Sequence, residues 1–170
     1  MSYPAEKAER QLACMIGPPV DPARDTTMTQ AFLAAPGSKA VCGGTTAGLV
    51  ARALGEETRV DLKSATGGLP PTGSLPGIDL VCEGVITLNL VLKMLAAENG
   101  ASSPSLSANS GAGILYRLLS RAETVRIFLG RAVNPVRQNL PSGISDKQRL
   151  VMALQRQLRA MGKNVDIETY

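Results

Sequence analysis

Histidine and tryptophan are absent from this chain of 170 residues, which holds only three tyrosines and two phenylalanines. Lack of histidine removes the commonest general base near neutral pH and the commonest metal ligand. The thin aromatic content argues against a surface that grips nucleic acid by stacking bases. No apolar run approaches the ~18–20 residues of a membrane span, so no membrane partner is expected. Residues 1–9 read as a polar N-terminal extension carrying Glu6 and Glu9, unlike the basic and apolar start of a signal peptide. The three cysteines, Cys14, Cys42 and Cys82, are an odd number without paired spacing. They read as buried free thiols in a reducing cytoplasm.

What the chain does have is alternation. "RQLACMIG" reads as a strand stopped by Pro18 and Pro19, and Asp21 followed by Pro22 is a helix start. "KAVCG" is a strand. The helix after it places Leu49, Val50, Ala53 and Leu54 on one face and stops at Gly55. "TRVDLKS" and "GIDLVCEG" are further strands, the second running into the helix "ITLNLVLKMLAAENG". "GAGILYRLLSRA" is helical and "TVRIFLGRAV" extended. Ser145 and Gln148 form a capping box before the stripe Leu150, Val151, Leu154, Leu158 and Met161, and "KNVDIETY" closes the chain as a strand. The stretches 65–77 and 98–111, rich in glycine, proline and serine, read as surface loops, the sharper alternative being that one of them overhangs a site.

Apolar strands alternating with helices predict an α/β fold: one domain over 1–170, three-layered and doubly wound. Its mainly parallel, Rossmann-like sheet should have about six strands, with "KAVCG", "IDLVC" and "RIFLG" central. In such a sheet ligands bind beyond the carboxyl ends of the strands. "CGGTT" lies at one such end, where Gly43 and Gly44 permit close approach, the start of a helix offers free N–H groups, and Thr45 and Thr46 add hydroxyls. It matches neither GxxxxGK[ST] nor GxGxxG, and a plain strand-to-helix turn is the competing reading. Glu83 and Gly84 end the "IDLVC" strand, and Gly130, Arg131 and Asn134 follow "RIFLG". Together these residues predict a pocket for a small polar or anionic ligand. Capping of the next helix is the alternative role for Glu83, and a salt bridge the alternative for Arg131. Cys42 and Cys82, expected to be buried in mid-strand, make poor nucleophiles. No catalytic residue, metal site or cofactor is predicted.

The blocks "GPPVDPARD", "KAVCGGTTAGLVARALG", "PGIDLVCEGVITL", "FLGRAVNPVRQN" and "RLVMALQRQLRAMGKNVDIETY" carry a resemblance. From Gly17 to Tyr170 the chain resembles the region that follows the catalytic domain in bacterial serine/threonine phosphatases similar to stage II sporulation protein E. The resemblance implies a C-terminal accessory domain whose own activity it does not define. Phosphatases of that group hold two metal ions with aspartates in DG- and DD-containing motifs. The six aspartates here, Asp21, Asp25, Asp61, Asp79, Asp146 and Asp166, occur in no DG or DD pair.

Between Arg117 and Lys163 ten Lys and Arg face only Glu123 and Asp146, a net +8, so the rest of the chain carries −4 of the total +4. A solvated basic face is the plain reading; an acidic protein partner comes next and nucleic acid last. The expected function is therefore a non-catalytic ligand-sensing or interaction domain, regulating a phosphatase catalytic domain or another protein. The competing class is a small enzyme acting on a nucleotide or sugar phosphate in the same pocket.

Overall fold

A computed structural model describes residues 10–65, 71–98, 110–132 and 146–170. Residues 1–9, Asn134, Ser145 of the expected capping box, and most of the 98–111 stretch lie outside the described residues. The strands are β1 (Gln11–Ile16), β2 (Ser38–Cys42), β3 (Arg59–Asp61), β4 (Thr72–Leu75), β5 (Ile78–Cys82), β6 (Thr124–Leu129) and β7 (Asn164–Thr169). The helices are α1 (Asp25–Ala34), α2 (Gly44–Leu54), α3 (Val85–Glu98), α4 (Gly111–Arg121) and α5 (Asp146–Ala160).

Side-chain alternation along β1 explains the layering. Leu12, Cys14 and Ile16 face one core with Leu88 and Val91 of α3, Leu115 and Leu119 of α4, and Leu154 and Leu158 of α5. Ala13 and Met15 face the other, with Met28 and Phe32 of α1 and Val50 of α2. A strand buried on both faces must be apolar at every position, which is why these segments read as continuous apolar runs. The Phe32 and Phe128 rings meet edge to face, with centroids 6.0 Å apart.

The sheet order is β3-β4-β5-β2-β1-β6-β7. β1 pairs in parallel with β2 and β6, β2 with β5, and β6 with β7. The five parallel strands thus grow outward in both directions from β1, the doubly wound, Rossmann-like arrangement. β1 and β2 occupy the middle, while β6, expected at the centre, lies one strand in from the edge.

The sheet has seven strands where the sequence predicted about six. The extra one, β4, lies in the 65–77 stretch read as a loop. It is antiparallel to both β3 and β5, and Leu75 pairs with Ile78 across a Pro76–Gly77 turn. Gly77 has φ +77°, the left-handed value required at the second central residue of a type II turn. The strand expected over "TRVDLKS" ends after three residues, all exposed, and continues as a 3-10 turn whose start is capped by the Asp61 carboxylate.

At the switch point between β1 and β6 the backbone is tightly packed. The Gly130 N–H donates to Ile16 O at 2.9 Å, and a Cβ on Gly130 would collide with the Pro18 carbonyl. The collision is with backbone, which cannot rotate away. Gly130→Ala is therefore expected to cost ~1–3 kcal/mol of unfolding free energy. Urea denaturation checks this: a lowered midpoint at constant m is expected, and an unchanged midpoint refutes the packing argument.

Candidate functional site

The candidate site begins with two strand ends held side by side. Cys42 ends β2, Cys82 ends β5, and the two are register partners. They lie at strand termini, not in mid-strand as the sequence suggested. Gly43 follows with φ +116° and ψ 141°, a conformation open to glycine and strained for any side chain. Its N–H donates to Cys82 O at 2.8 Å, extending the β2–β5 pairing by one bond.

Helix α2 starts at once, with Gly43 as N-cap and no side-chain cap. Its first helical donor is Ala47, whose N–H bonds Gly43 O at 2.9 Å, so the amides of Gly44, Thr45 and Thr46 precede the ladder. Gly44 and Thr45 are exposed, whereas Thr46 is 1% exposed and its Oγ1 is buried without a hydrogen-bond partner. That oxygen faces the Gly43 turn, 3.1 Å from where a Gly43 Cβ would stand. Buried hydroxyls are nearly always paired, so an orphan at a helix start is an unusual feature.

Glu83 does the opposite at the neighbouring helix. Its carboxylate accepts from Val85 N at 3.1 Å, Ile86 N at 2.8 Å and Thr87 N at 3.3 Å, closing the start of α3. Gly84 O accepts from Leu88 N, and Gly84 stands close to the Gly43 backbone. The start of α4 is closed as well, by Ser110 Oγ accepting from Gly113 N at 3.0 Å. Negative charge is thus already present at α3, while α2 keeps its amides unpaired.

Gly43, Gly44 and Glu83 line one cleft of about 290 Å³, together with Ala47 of α2 and with Val81 and Cys82 of β5. Its far wall is the β3–β4 hairpin, through Thr58, Val60, Pro71 and Gly73. The sequence allowed a stretch here to overhang a site but read it as an irregular loop, missing the strand β4. The Pro76–Gly77 pair between Leu75 and Ile78 was the signal for a hairpin.

The predicted residues divide into two groups. Gly43, Gly44, Thr45, Thr46, Glu83 and Gly84 gather at the ends of β2 and β5, where Gly43, Gly44 and Glu83 line the cleft and Thr45, Thr46 and Gly84 stand beside it without lining it. Gly130 and Arg131 share the carboxyl edge but follow β6, and β1 stands between β6 and β2. At about 4.8 Å per strand they lie ~10 Å from the end of β2. They do not line the cleft, and the exposed Arg131 gives its N–H to Tyr170 O at 2.8 Å. Lys147, which sequence reasoning did not single out, lies at the β1–β6 switch point. Its ammonium fills the space a Gly17 side chain would take and donates to Ala132 O at 3.1 Å; burial pulls its pKa below the usual 10.5.

Hydrogen bonding from Cys82 to Cys42, followed by burial, pushes the Cys82 thiol pKa up, and burial does the same to Cys14. Among the described residues no three His, Cys, Asp or Glu side chains form a set able to hold a metal ion. Among them, too, no helix is long and apolar enough to cross a membrane. Fold and site together define the class of this protein: a doubly wound α/β domain with a small cleft at the carboxyl edge of its sheet. Comparison with protein-family models, with curated proteins and with solved structures finds no match.

The role of Glu83 as a helix cap gives a direct expectation. Glu83→Ala strips three acceptor contacts from the start of α3 and should lower stability by ~1–2 kcal/mol. Thermal unfolding followed by circular dichroism measures this, and an unshifted transition rules out the capping role.

Proposed function

We propose that this domain is a non-catalytic ligand sensor whose cleft takes a small molecule with one anionic group and a compact apolar body. The anionic group sits at the start of α2, against the amides of Gly44, Thr45 and Thr46. The apolar body lies along Ala47, Val60, Val81 and Pro71. The observation that carries this reading is the orphaned, buried Thr46 hydroxyl beside an uncapped helix start that opens into a cleft. Unpaired amides and the helix dipole favour an anion there. The volume is at the small end for ligand pockets, about 300–1,000 Å³, which suits an organic acid or small phosphate ester better than a dinucleotide. The Glu83 carboxylate at the rim disfavours a bare, highly charged anion and welcomes a ligand that also brings a hydroxyl or amine.

The partner we propose is a phosphatase catalytic domain of the kind related to stage II sporulation protein E, on the strength of the sequence resemblance. Ligand occupancy would then act on that partner through the sheet edge.

A thermal-shift screen of carboxylates, sugar phosphates, nucleotides and inorganic phosphate tests the cleft. A true ligand at ten to a hundred times its Kd stabilises by roughly 1.4–2.7 kcal/mol. Nothing lies within 4 Å of a Cβ built on Gly44, so Gly44→Val fits the fold while filling the cleft mouth. We expect it to abolish the shift and leave the helical signal intact. A ligand that stabilises wild type and Gly44→Val equally binds elsewhere and defeats the proposal.

A further inference from the structure

The starts of α2 and α3 are two versions of one junction, and only α3 carries its own anion. Cys42 and Cys82 are register partners at the ends of β2 and β5, so Gly43 follows one strand where Glu83 follows the other. The first ladder donors are Ala47 in α2 and Leu88 in α3. Three amides precede each: Gly44, Thr45 and Thr46 in α2, and Val85, Ile86 and Thr87 in α3. At α3 a single carboxylate accepts from all three, at 3.1, 2.8 and 3.3 Å, with both oxygens engaged. At α2 Gly43 has no side chain to send there, and no other side chain caps the helix. The buried Thr46 hydroxyl, which faces the Gly43 turn, has no partner. That turn opens on the cleft, which Gly43 and Gly44 line.

We propose that the anionic group of the ligand is a carboxylate, meeting the start of α2 as the Glu83 carboxylate meets the start of α3, so that the domain senses small aliphatic monocarboxylic acids. The inference rests on the ligand-cleft reading and narrows it from anions in general to one class.

Charge decides between carboxylate and phosphate. Among the described residues that line the cleft, Glu83 is the only charged one, and no lysine or arginine joins it. A helix start acts as about half a positive charge. A phosphate monoester carries about −1.5 to −2 near pH 7, and proteins usually balance that with arginine forks or a lysine. A carboxylate brings one negative charge and two acceptor oxygens, the load that α3 already carries in this molecule. Glu83 at the rim raises the cost of every further negative charge. Ala47, Val60, Pro71 and Val81 offer the rest of the ligand an apolar wall, and a cleft of about 290 Å³ matches a short branched chain.

Three compounds of one shape separate the possibilities: 3-methylbutanoate, its neutral amide, and 2-methylpropyl phosphate. Each is titrated into the full chain by thermal shift and by amide ¹⁵N–¹H spectra. We expect 3-methylbutanoate to bind at least tenfold more tightly than the phosphate ester, and the neutral amide to produce no shift. The Gly44, Thr45 and Thr46 amide signals should move with 3-methylbutanoate, while Val85, Ile86 and Thr87, already held by Glu83, stay in place. Gly44→Val should abolish the response; because the wild-type amide map decides the site alone, a variant that misfolds does not obscure it. Phosphate binding as tight as carboxylate overturns the narrowing and leaves the anion cleft standing. Equal binding of the neutral amide overturns both, as does movement of the α3 amides in place of those of α2. Silence from 3-methylbutanoate overturns the carboxylate inference. The cleft reading survives that result only if another compound of the wider screen gives a shift that Gly44→Val removes.

Discussion

Burial of both faces of β1 is the constraint on which the rest of this structure depends. Cys14, Met15 and Ile16 are each no more than 2% exposed, so the strand needs a helical layer above and another below. It also needs a hydrogen-bonded neighbour on each side to satisfy its backbone. β2 and β6 supply the neighbours, in parallel, and parallel pairing obliges each connection to cross a face through a helix. Because every central strand then runs the same way, all of their carboxyl ends, and the helix starts that follow them, emerge at one edge.

What distinguishes those junctions is how each satisfies its free backbone donors. Glu83 closes α3 with a carboxylate, and Ser110 closes α4 with a hydroxyl. α2 has glycine at its N-cap, and the threonine that could have supplied an oxygen, Thr46, points instead into a buried space where it meets no partner. The antiparallel hairpin of β3 and β4 then stands as a wall over this corner. Without it the start of α2 would face open solvent, where a helix dipole favours an anion only weakly.

Several cations of the basic C-terminal half are built into the fold. Lys163 donates to Ser120 O at 3.0 Å and Ala122 O at 2.6 Å, closing the end of α4. Arg159 donates to Val165 O at 2.9 Å, and Arg126 pairs with Glu168 at 3.2 Å across β6 and β7. Long cationic side chains here serve backbone carbonyls at helix ends and loops, where the helix dipole also welcomes them. For Lys147, Arg159 and Lys163 the positive charge serves backbone carbonyls of the fold itself.

Local chemistry determined a good deal of this protein. Short continuous apolar runs marked β1, β2, β5 and β6, the Asp21–Pro22 pair marked the turn into α1, and Gly55 marked the end of α2, where it takes the left-handed conformation. Such signals span a few residues, and no distant partner is needed to read them. β4 was the exception, since the edge of a sheet tolerates glycine and proline that a central strand would reject. Tertiary structure alone decided which junctions became neighbours. Nothing in "CGGTT", "CEG" or "LGRA" encodes strand order, which depends on pairings such as Leu12 with Ser38, Ala40 with Leu80 and Gln11 with Thr124, far apart along the chain. Pairing of β2 with β5 joined Gly43 to Glu83, and insertion of β1 beside β2 left Gly130 and Arg131 two strands away, because each strand has only two edges to offer.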